Sequence, residues 1–233
     1  MYEAVKRCIG LVEYHYCQKI TPCSGSMILA PNKTIIATAA HCIFDWKSKR
    51  FYDEIFFSPY VLREKKKYKV QEAYILKRWA DNAEVEFDTG FLVIENQLEN
   101  DLDYCRYAIT PLFGEEGYPY YLCGGFTYNP FRRSPYYFQG NSIKDTYYNS
   151  TLLGIQHKVK NGMSGGPWII EKNGEYFQNS LTSFTNKKKK GFVWGPYWGK
   201  EIKLLYEEAT KKCSYSQGED NIIHSTFPPA KLA

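Results

Sequence analysis

The sequence lacks the patterns of a membrane protein, a zinc protein and a nucleic-acid-binding domain. No apolar run approaches the ~20 residues that a membrane-spanning helix needs. The seven cysteines and four histidines form no paired Cys-x-x-Cys or Cys/His cluster, so we expect no metal and no other cofactor. The lysine runs at 65–67 and 187–190 contribute to the net charge of +5 without any nucleic-acid fold signature, so we predict solvated loops that bind no nucleic acid.

Residues 1–19 also do not resemble a signal peptide. Charged residues interrupt positions 1–19, whereas a signal peptide needs a continuous apolar segment. The closing residues 231–233 resemble vector-derived sequence, so we expect that a native leader has been lost. Sequons at Asn32 and Asn149 have a meaning only on a eukaryotic secretory route. We therefore expect a secreted, extracellular protein, and the sequence is silent on its oligomeric state.

Aromatic residues, in contrast, are abundant. The 21 Tyr and 14 Phe favour a sheet-rich interior, because aromatic side chains suit pleated surfaces; stacking on carbohydrate stays open as a functional alternative. The 233 residues suffice for one large all-β domain or two small ones. Strands are predicted over 9–16, 26–30, 34–40, 52–58, 68–76, 89–95, 120–126, 136–139, 152–156, 167–171, 176–184 and 191–194.

One helix is predicted, over residues 200–212, where apolar residues follow a helical stripe. Its apolar positions are Ile202, Leu205, Tyr206 and Ala209. Residues 99–104 are polar and acidic and are the predicted connection between two halves of the chain. From residue 214 onward the sequence is polar and then contains proline, so we predict a tail without fixed structure.

Three segments carry residues suited to nucleophilic catalysis. Residues 161–167, Asn-Gly-Met-Ser-Gly-Gly-Pro, place Ser164 between glycines, in a turn whose N–H groups can point at one spot. His41 directly follows an apolar run, and Asp88 opens another. A serine is a weak nucleophile that needs a base and an orienting carboxylate, and these two residues can supply them.

The nucleophile elbow of α/β-hydrolases is a rival interpretation, because residues 162–166 also satisfy Gly-x-Ser-x-Gly. That fold requires an acid and a histidine after the serine, and alternating strands and helices. Only Asp220 and His224 follow Ser164 in a suitable order, and both lie in the polar tail. The α/β-hydrolase interpretation therefore fails on chain order and on pattern.

The three segments together resemble the chymotrypsin-like (trypsin-fold) serine peptidases, in which His, Asp and Ser follow one another in this order. The short interval between Asp88 and Ser164 is most similar to the bacterial glutamyl endopeptidase branch. The resemblance implies an all-β fold of two antiparallel six-stranded barrels with a C-terminal α-helix. The implied divisions are a first barrel over 1–104, a second barrel with the helix over 105–213, and a tail over 214–233.

The resemblance also implies the roles of individual residues. Ser164 corresponds to the nucleophile, His41 to the general base and Asp88 to the carboxylate that orients the histidine. The backbone N–H groups of Gly162 and Ser164 correspond to the oxyanion hole. No metal takes part in this mechanism.

A second group of residues corresponds to the substrate-binding strand. Ser183 matches the family's buried serine beside the aspartate, so we expect it to donate a hydrogen bond to Asp88. Phe184 and Thr185 continue the strand that pairs with substrate. The expected partner is therefore a protein or peptide substrate.

Specificity and activation depend on residues next to Ser164. Lys158 corresponds to the base of the primary specificity pocket, where a cation favours an acidic substrate side chain. Thr182 departs from the pattern, because some glutamyl endopeptidases have a histidine there. Met163 replaces the aspartate that pairs with a new amino terminus in trypsin-like zymogens, so we expect no activation by that ion pair.

The cysteines leave several pairings open. The resemblance implies a disulfide between Cys23 and Cys42, while Cys8 with Cys17 or Cys105 with Cys123 could form others, and an odd count leaves one thiol over.

Three functions remain after this reading of the sequence. The first is a secreted serine endopeptidase. The second is a catalytically silent homologue that binds proteins, and the third is an intracellular or viral processing peptidase with reduced cysteines.

Overall fold

A computed structural model describes most of the chain. The described residues are 2–16, 19–62, 66–94, 98, 101–115, 117–129, 132–146, 149–186, 189–211 and 221–228. Within this part of the chain, no helix is both long and apolar enough to cross a membrane.

The first half of the chain forms a closed barrel of six antiparallel strands. Along the sheet the strand order is β7-β6-β1-β2-β3-β8, and β8 pairs back onto β7 to close it. The strands of this half, including a small hairpin of β4 and β5, are β1 (Ile9–Tyr16), β2 (Lys19–Ile28), β3 (Thr34–Thr38), β4 (Phe44–Asp45), β5 (Arg50–Phe51), β6 (Ile55–Pro59), β7 (Tyr68–Leu76) and β8 (Gly90–Ile94).

The second half forms an eight-stranded sheet that curls into a half-barrel, in the order β15-β16-β12-β11-β10-β13-β14-β9. Trp168, Trp194 and Tyr121 are fully buried in this half, as aromatic packing predicts. The all-β fold class with two barrel-like halves is confirmed. The strands are β9 (Thr110–Pro111), β10 (Tyr120–Asn129), β11 (Arg132–Lys144), β12 (Leu153–Gln156), β13 (Pro167–Lys172), β14 (Glu175–Leu181), β15 (Phe184–Thr185) and β16 (Phe192–Gly195).

The predicted C-terminal helix is confirmed, and it packs on the first barrel. It buries Ile202, Leu205 and Ala209, while the ring of Tyr206 meets that of Phe91 in β8 edge-on at 5.7 Å between centroids. Three shorter helices among the fully described elements were not predicted, because four to six residues are too few to establish a helical period. The helices described in full are α1 (Glu3–Cys8), α2 (Lys77–Asn82), α3 (Tyr104–Tyr107) and α4 (Lys200–Thr210).

The prediction of a tail without fixed structure is wrong for residues 222–226. They form β17 (Ile222–Thr226), which pairs antiparallel with β7 from Leu76 to Glu72. The physical reason is the shape of the barrel: β6 pairs with β7 only at Lys69 and Tyr68. Beyond that point one edge of β7 is open, and the returning chain satisfies its backbone groups.

The cysteines correct part of the prediction. Cys23 and Cys42 form the expected disulfide, with Cα atoms 6.1 Å apart. Cys8, Cys105 and Cys123 carry free thiols, so the alternative pairings of Cys8 and of Cys105 with Cys123 are wrong. Cys8 and Cys123 are buried whereas Cys105 is exposed, so these three free thiols differ in their access to solvent. The remaining two cysteines lie outside the described residues.

Leu205→Ala tests the packing of α4. We expect the free energy of unfolding to fall by about 2–5 kcal/mol, because the substitution leaves a cavity in the core. Glu201→Ala on the exposed face of the same helix is the control and should cost less than about 1 kcal/mol. Urea unfolding measures both, and equal effects would show that α4 does not pack on the barrel as described.

Candidate active site

His41 lies in a single 3-10 turn (Ala40–Cys42) directly after β3. Its backbone N–H donates to Asp88 Oδ1 at 2.9 Å, and its ring Nδ1 lies 2.7 Å from Asp88 Oδ2. An ionised carboxylate can only accept hydrogen bonds, so Nδ1 carries the proton. Nε2 is then left with a lone pair, which is the form that a general base requires.

Asp88 holds this arrangement from a buried position. It follows the 3-10 turn Val85–Phe87 and precedes β8, and its side chain is 2% exposed against 34% for His41. The predicted hydrogen bond from Ser183 is present, with Ser183 Oγ donating to Asp88 Oδ2. The carboxylate therefore accepts three hydrogen bonds, which compensate for its burial.

The pair shifts the pKa values of both groups. Burial alone raises the pKa of Asp88, but the charge of His41 and the hydrogen bonds from His41 and Ser183 outweigh it, so the pKa lies below its usual value. Burial likewise lowers the pKa of His41, and the Asp88 charge and hydrogen bond outweigh that effect, so the pKa of His41 is raised. Asp88 is thus ionised at neutral pH, and His41 binds a proton more readily than a free histidine.

Ser164 lies in a turn that requires glycine at positions 162 and 165. Gly162 and Gly165 have φ values of 95° and 81°, in the left-handed region that glycine adopts at little cost. A Cβ atom on Gly165 would lie 2.2 Å from Ser24 O, so no larger residue fits. Ser24 N–H donates to Ser164 O at 2.7 Å, and Cys42 Sγ lies 3.8 Å from the same oxygen. The turn therefore rests against the residue that follows His41.

Two N–H groups of this turn are not used by the fold. Met163 N–H donates to Lys160 O at 3.3 Å, and Gly166 N–H donates to Met163 O at 3.0 Å. Gly162 and Ser164 donate no backbone hydrogen bond to any described residue. Their N–H groups are thus available to a ligand, as an oxyanion hole requires.

The substrate-binding residues predicted from the sequence lie next to this turn. Gly165 N–H donates to Thr182 O at 2.7 Å, one residue before Ser183. β15, formed by Phe184 and Thr185, pairs with β16 on one side and ends the order of its sheet. Its second edge is therefore open within the described residues, as pairing with an extended peptide requires.

The predicted specificity residues, Lys158 and Thr182, lie in different environments. Lys158 is exposed and forms no ion pair with a described residue, so its place at the base of a pocket stays a prediction. His157 beside it stacks on Phe138 at 4.5 Å, and its Nε2 lies 3.1 Å from Tyr136 Oη. Thr182 is buried, and its hydroxyl accepts from Trp168 Nε1 at 2.9 Å, so this side chain is occupied within the core.

Two residues near the site were missed in the sequence. The ring of Trp79 in α2 lies 6.4 Å from that of His41, and Lys49 Nζ donates to Ala80 O at 2.6 Å, which holds α2 beside the site. A tryptophan in a six-residue helix carries no pattern that marks it. Ser24 has no pattern of its own in the sequence, although its Oγ donates to Gly162 O at 2.8 Å.

The described residues of this site do not provide a set of metal ligands. Among the described residues the one close group of possible ligands is Cys23, His41 and Cys42. The two sulfur atoms are joined in the disulfide, so they are not thiolates and cannot bind a metal in that state.

Several solved structures with a similar fold are proteases. Protease Anisep from Arthrobacter nicotinovorans is 25% identical, with a TM-score of 0.75 over 88% of this chain and 95% of that one. A thermostable serine protease from an extremophilic microorganism is 23% identical, with a TM-score of 0.76 over 90% and 100% of the two chains. A Glu endopeptidase is 14% identical, with a TM-score of 0.68 over 86% and 89%. No family model and no curated protein matches the sequence.

These likenesses define the class of fold: the chain has the fold of the trypsin-like serine peptidases. The fold is also similar to that of a Glu endopeptidase, in agreement with the branch that the interval between Asp88 and Ser164 predicted.

Asp88→Asn tests the pairing of Asp88 with His41. The substitution removes the negative charge beside Nδ1, so we expect the pKa of His41 to fall below its value in the unchanged protein. NMR titration of the imidazole protons measures this pKa, with His15, which pairs with Glu54 at 2.7 Å, as the internal control. An unchanged His41 pKa in a folded Asp88→Asn variant would contradict the pairing.

Proposed function

We propose that the chain is a serine endopeptidase in which Ser164, His41 and Asp88 form a catalytic triad. The observation that carries the proposal is the hydrogen bond between His41 Nδ1 and Asp88 Oδ2, which leaves the lone pair of Nε2 available to accept a proton from Ser164. The raised pKa of His41 agrees with a group that accepts a proton and then returns it.

In the proposed reaction, His41 first accepts the proton of Ser164 and then transfers it to the leaving group. His41 Nε2 takes the proton of Ser164 Oγ as the oxygen attacks the carbonyl carbon of the substrate. The carbonyl oxygen becomes an oxyanion and accepts hydrogen bonds from the N–H groups of Gly162 and Ser164, while Asp88 stabilises the imidazolium. The imidazolium then gives its proton to the leaving amine, and an acyl-enzyme forms. Water repeats the sequence, His41 again acting as base, and releases the acid.

An acidic residue before the scissile bond is the proposed preference. Lys158 and Lys160 belong to the segment between β12 and the turn of Ser164, and both are exposed. Neither forms an ion pair with a described residue, so both cations are available to a carboxylate of the substrate.

Secretion is the proposed location. The Cys23–Cys42 disulfide supports an oxidising compartment, since disulfides are rare in a reducing cytosol. This observation speaks against the intracellular alternative, in which the cysteines stay reduced. The substrates are then proteins or peptides outside the cell.

Labelling with a fluorophosphonate tests the triad. We expect the folded protein to be labelled at neutral pH and Ser164→Ala to remain unlabelled. His41→Ala should slow labelling by about 10²–10⁴, because the general base is lost. Mass spectrometry of the labelled peptide locates the adduct. A folded, unlabelled wild type would support a catalytically silent homologue that acts as a protein-binding module.

Cleavage of matched peptides tests the acidic preference. Peptides that differ only in the residue before the scissile bond should be cleaved faster after Glu or Asp than after Lys. Lys158→Ala should reduce the ratio of kcat/KM values for Glu over Gln by about two- to fivefold, which corresponds to the free energy of an exposed ion pair.

Lys172→Ala is the control for this test, because it also removes one positive charge but pairs with Glu115 elsewhere on the surface. Faster cleavage after Lys would overturn the preference and leave the triad untouched.

A further inference from the structure

An extended substrate can pair antiparallel with the open edge of β15. In an antiparallel pairing, the residues upstream of the scissile bond run from Ser183 towards Thr185. Each residue advances by about 3.3 Å along a strand. The third residue before the scissile bond is then opposite Thr185, and the fourth and fifth lie beside the turn that joins β15 to β16.

That turn carries a lysine with an unusual environment. Lys189 is half-buried, and its Nζ lies 4.6 Å from the ring centroid of Phe192 and 5.8 Å from that of Trp194. Phe192 and Trp194 are two residues apart on β16, so their side chains share one face of the sheet. The two rings hold the ammonium group on that face through cation–π attraction.

The same face leads to the substrate edge. Trp194 is the cross-strand partner of Phe184, so the side chains of this pair lie on the same side of the hairpin. The ammonium group of Lys189 is thus on the side of β15 that carries Phe184, next to the path of the upstream substrate residues.

The charge of Lys189 is not paired with that of any described residue. It forms no ion pair with a described residue, whereas Lys172 and Lys203, for example, lie 2.7 Å and 3.7 Å from glutamate oxygens. Aromatic faces position a cation without cancelling its charge. Lys189 is therefore preorganised to meet a carboxylate from outside.

We propose that Lys189 is a specificity-determining residue that selects substrates with Asp or Glu at the third to fifth position before the scissile bond. This inference rests on the proposed peptidase function and adds a second acidic position to the one assigned to Lys158. The substrate class is then an acidic peptide segment, recognised along β15 as well as next to the cleaved bond.

Matched quenched-fluorescence peptides test the proposal. All peptides keep the same residue before the scissile bond, and Glu is compared with Gln at each of the three upstream positions. With the unchanged protein, kcat/KM should be about three- to fivefold higher for Glu than for Gln at one or more of these positions. Salt at about 1 M should reduce this ratio, since it screens exposed charges.

Three substitutions at two positions of the same turn separate the effect of position from the effect of charge. Lys189→Gln should bring the Glu/Gln ratio close to one by lowering kcat/KM for the Glu peptide. Lys190→Gln removes the same charge from an exposed neighbour and should preserve the ratio, and Lys189→Arg should largely retain it.

The outcomes distinguish this inference from the function on which it rests. A labelled, active protein with a ratio of one at all three positions overturns the role of Lys189 alone. An equal loss of the ratio in Lys189→Gln and Lys190→Gln also overturns it, because general surface charge would then explain the preference. Absence of both fluorophosphonate labelling and cleavage overturns the peptidase function and this inference together.

Discussion

The site depends on a network of hydrogen bonds and one disulfide that joins the two halves of the chain. Ser24 lies at the centre of this network. Ser24 is fully buried, and each of its polar groups is used. Its N–H donates to Ser164 O, its Oγ donates to Gly162 O and accepts from Phe126 N–H, and its carbonyl accepts from Thr38 Oγ1. The turn of Ser164 cannot move relative to β2 without leaving buried polar groups unpaired, which is costly.

A disulfide and a hydrogen bond complete this network. The disulfide next to Ser24 links Cys23 to Cys42, the residue after His41. On the other side, Ser183 Oγ donates to Asp88, which binds His41 in turn. A residue from each half therefore fixes the histidine: Cys42 through the backbone of the first barrel, and Ser183 through a carboxylate in a buried site. The low effective dielectric there strengthens these hydrogen bonds, and an unpaired Asp88 would be costly.

Motifs and strands were predictable, and the connections between them were not. His41, Asp88 and Ser164 each stand in a local pattern, and the aromatic, β-branched strands have periods that a sequence displays. Ser24 has no pattern of its own, since its importance arises from partners more than 100 residues away. β17 was missed for the same reason: the open edge of β7 that it fills exists only after the barrel has closed. Free and bonded cysteines likewise differ by three-dimensional position, which spacing does not encode.

The central claim is that this network directs Ser164 Oγ, His41 Nε2 and the N–H groups of Gly162 and Ser164 at one substrate carbonyl group. A crystal structure of the protein inactivated by a fluorophosphonate tests it most directly. The account predicts phosphorus bonded to Ser164 Oγ and a phosphonyl oxygen at about 2.7–3.1 Å from the N atoms of Gly162 and Ser164. An adduct on another residue, or a phosphonyl oxygen directed away from both N–H groups, would contradict it.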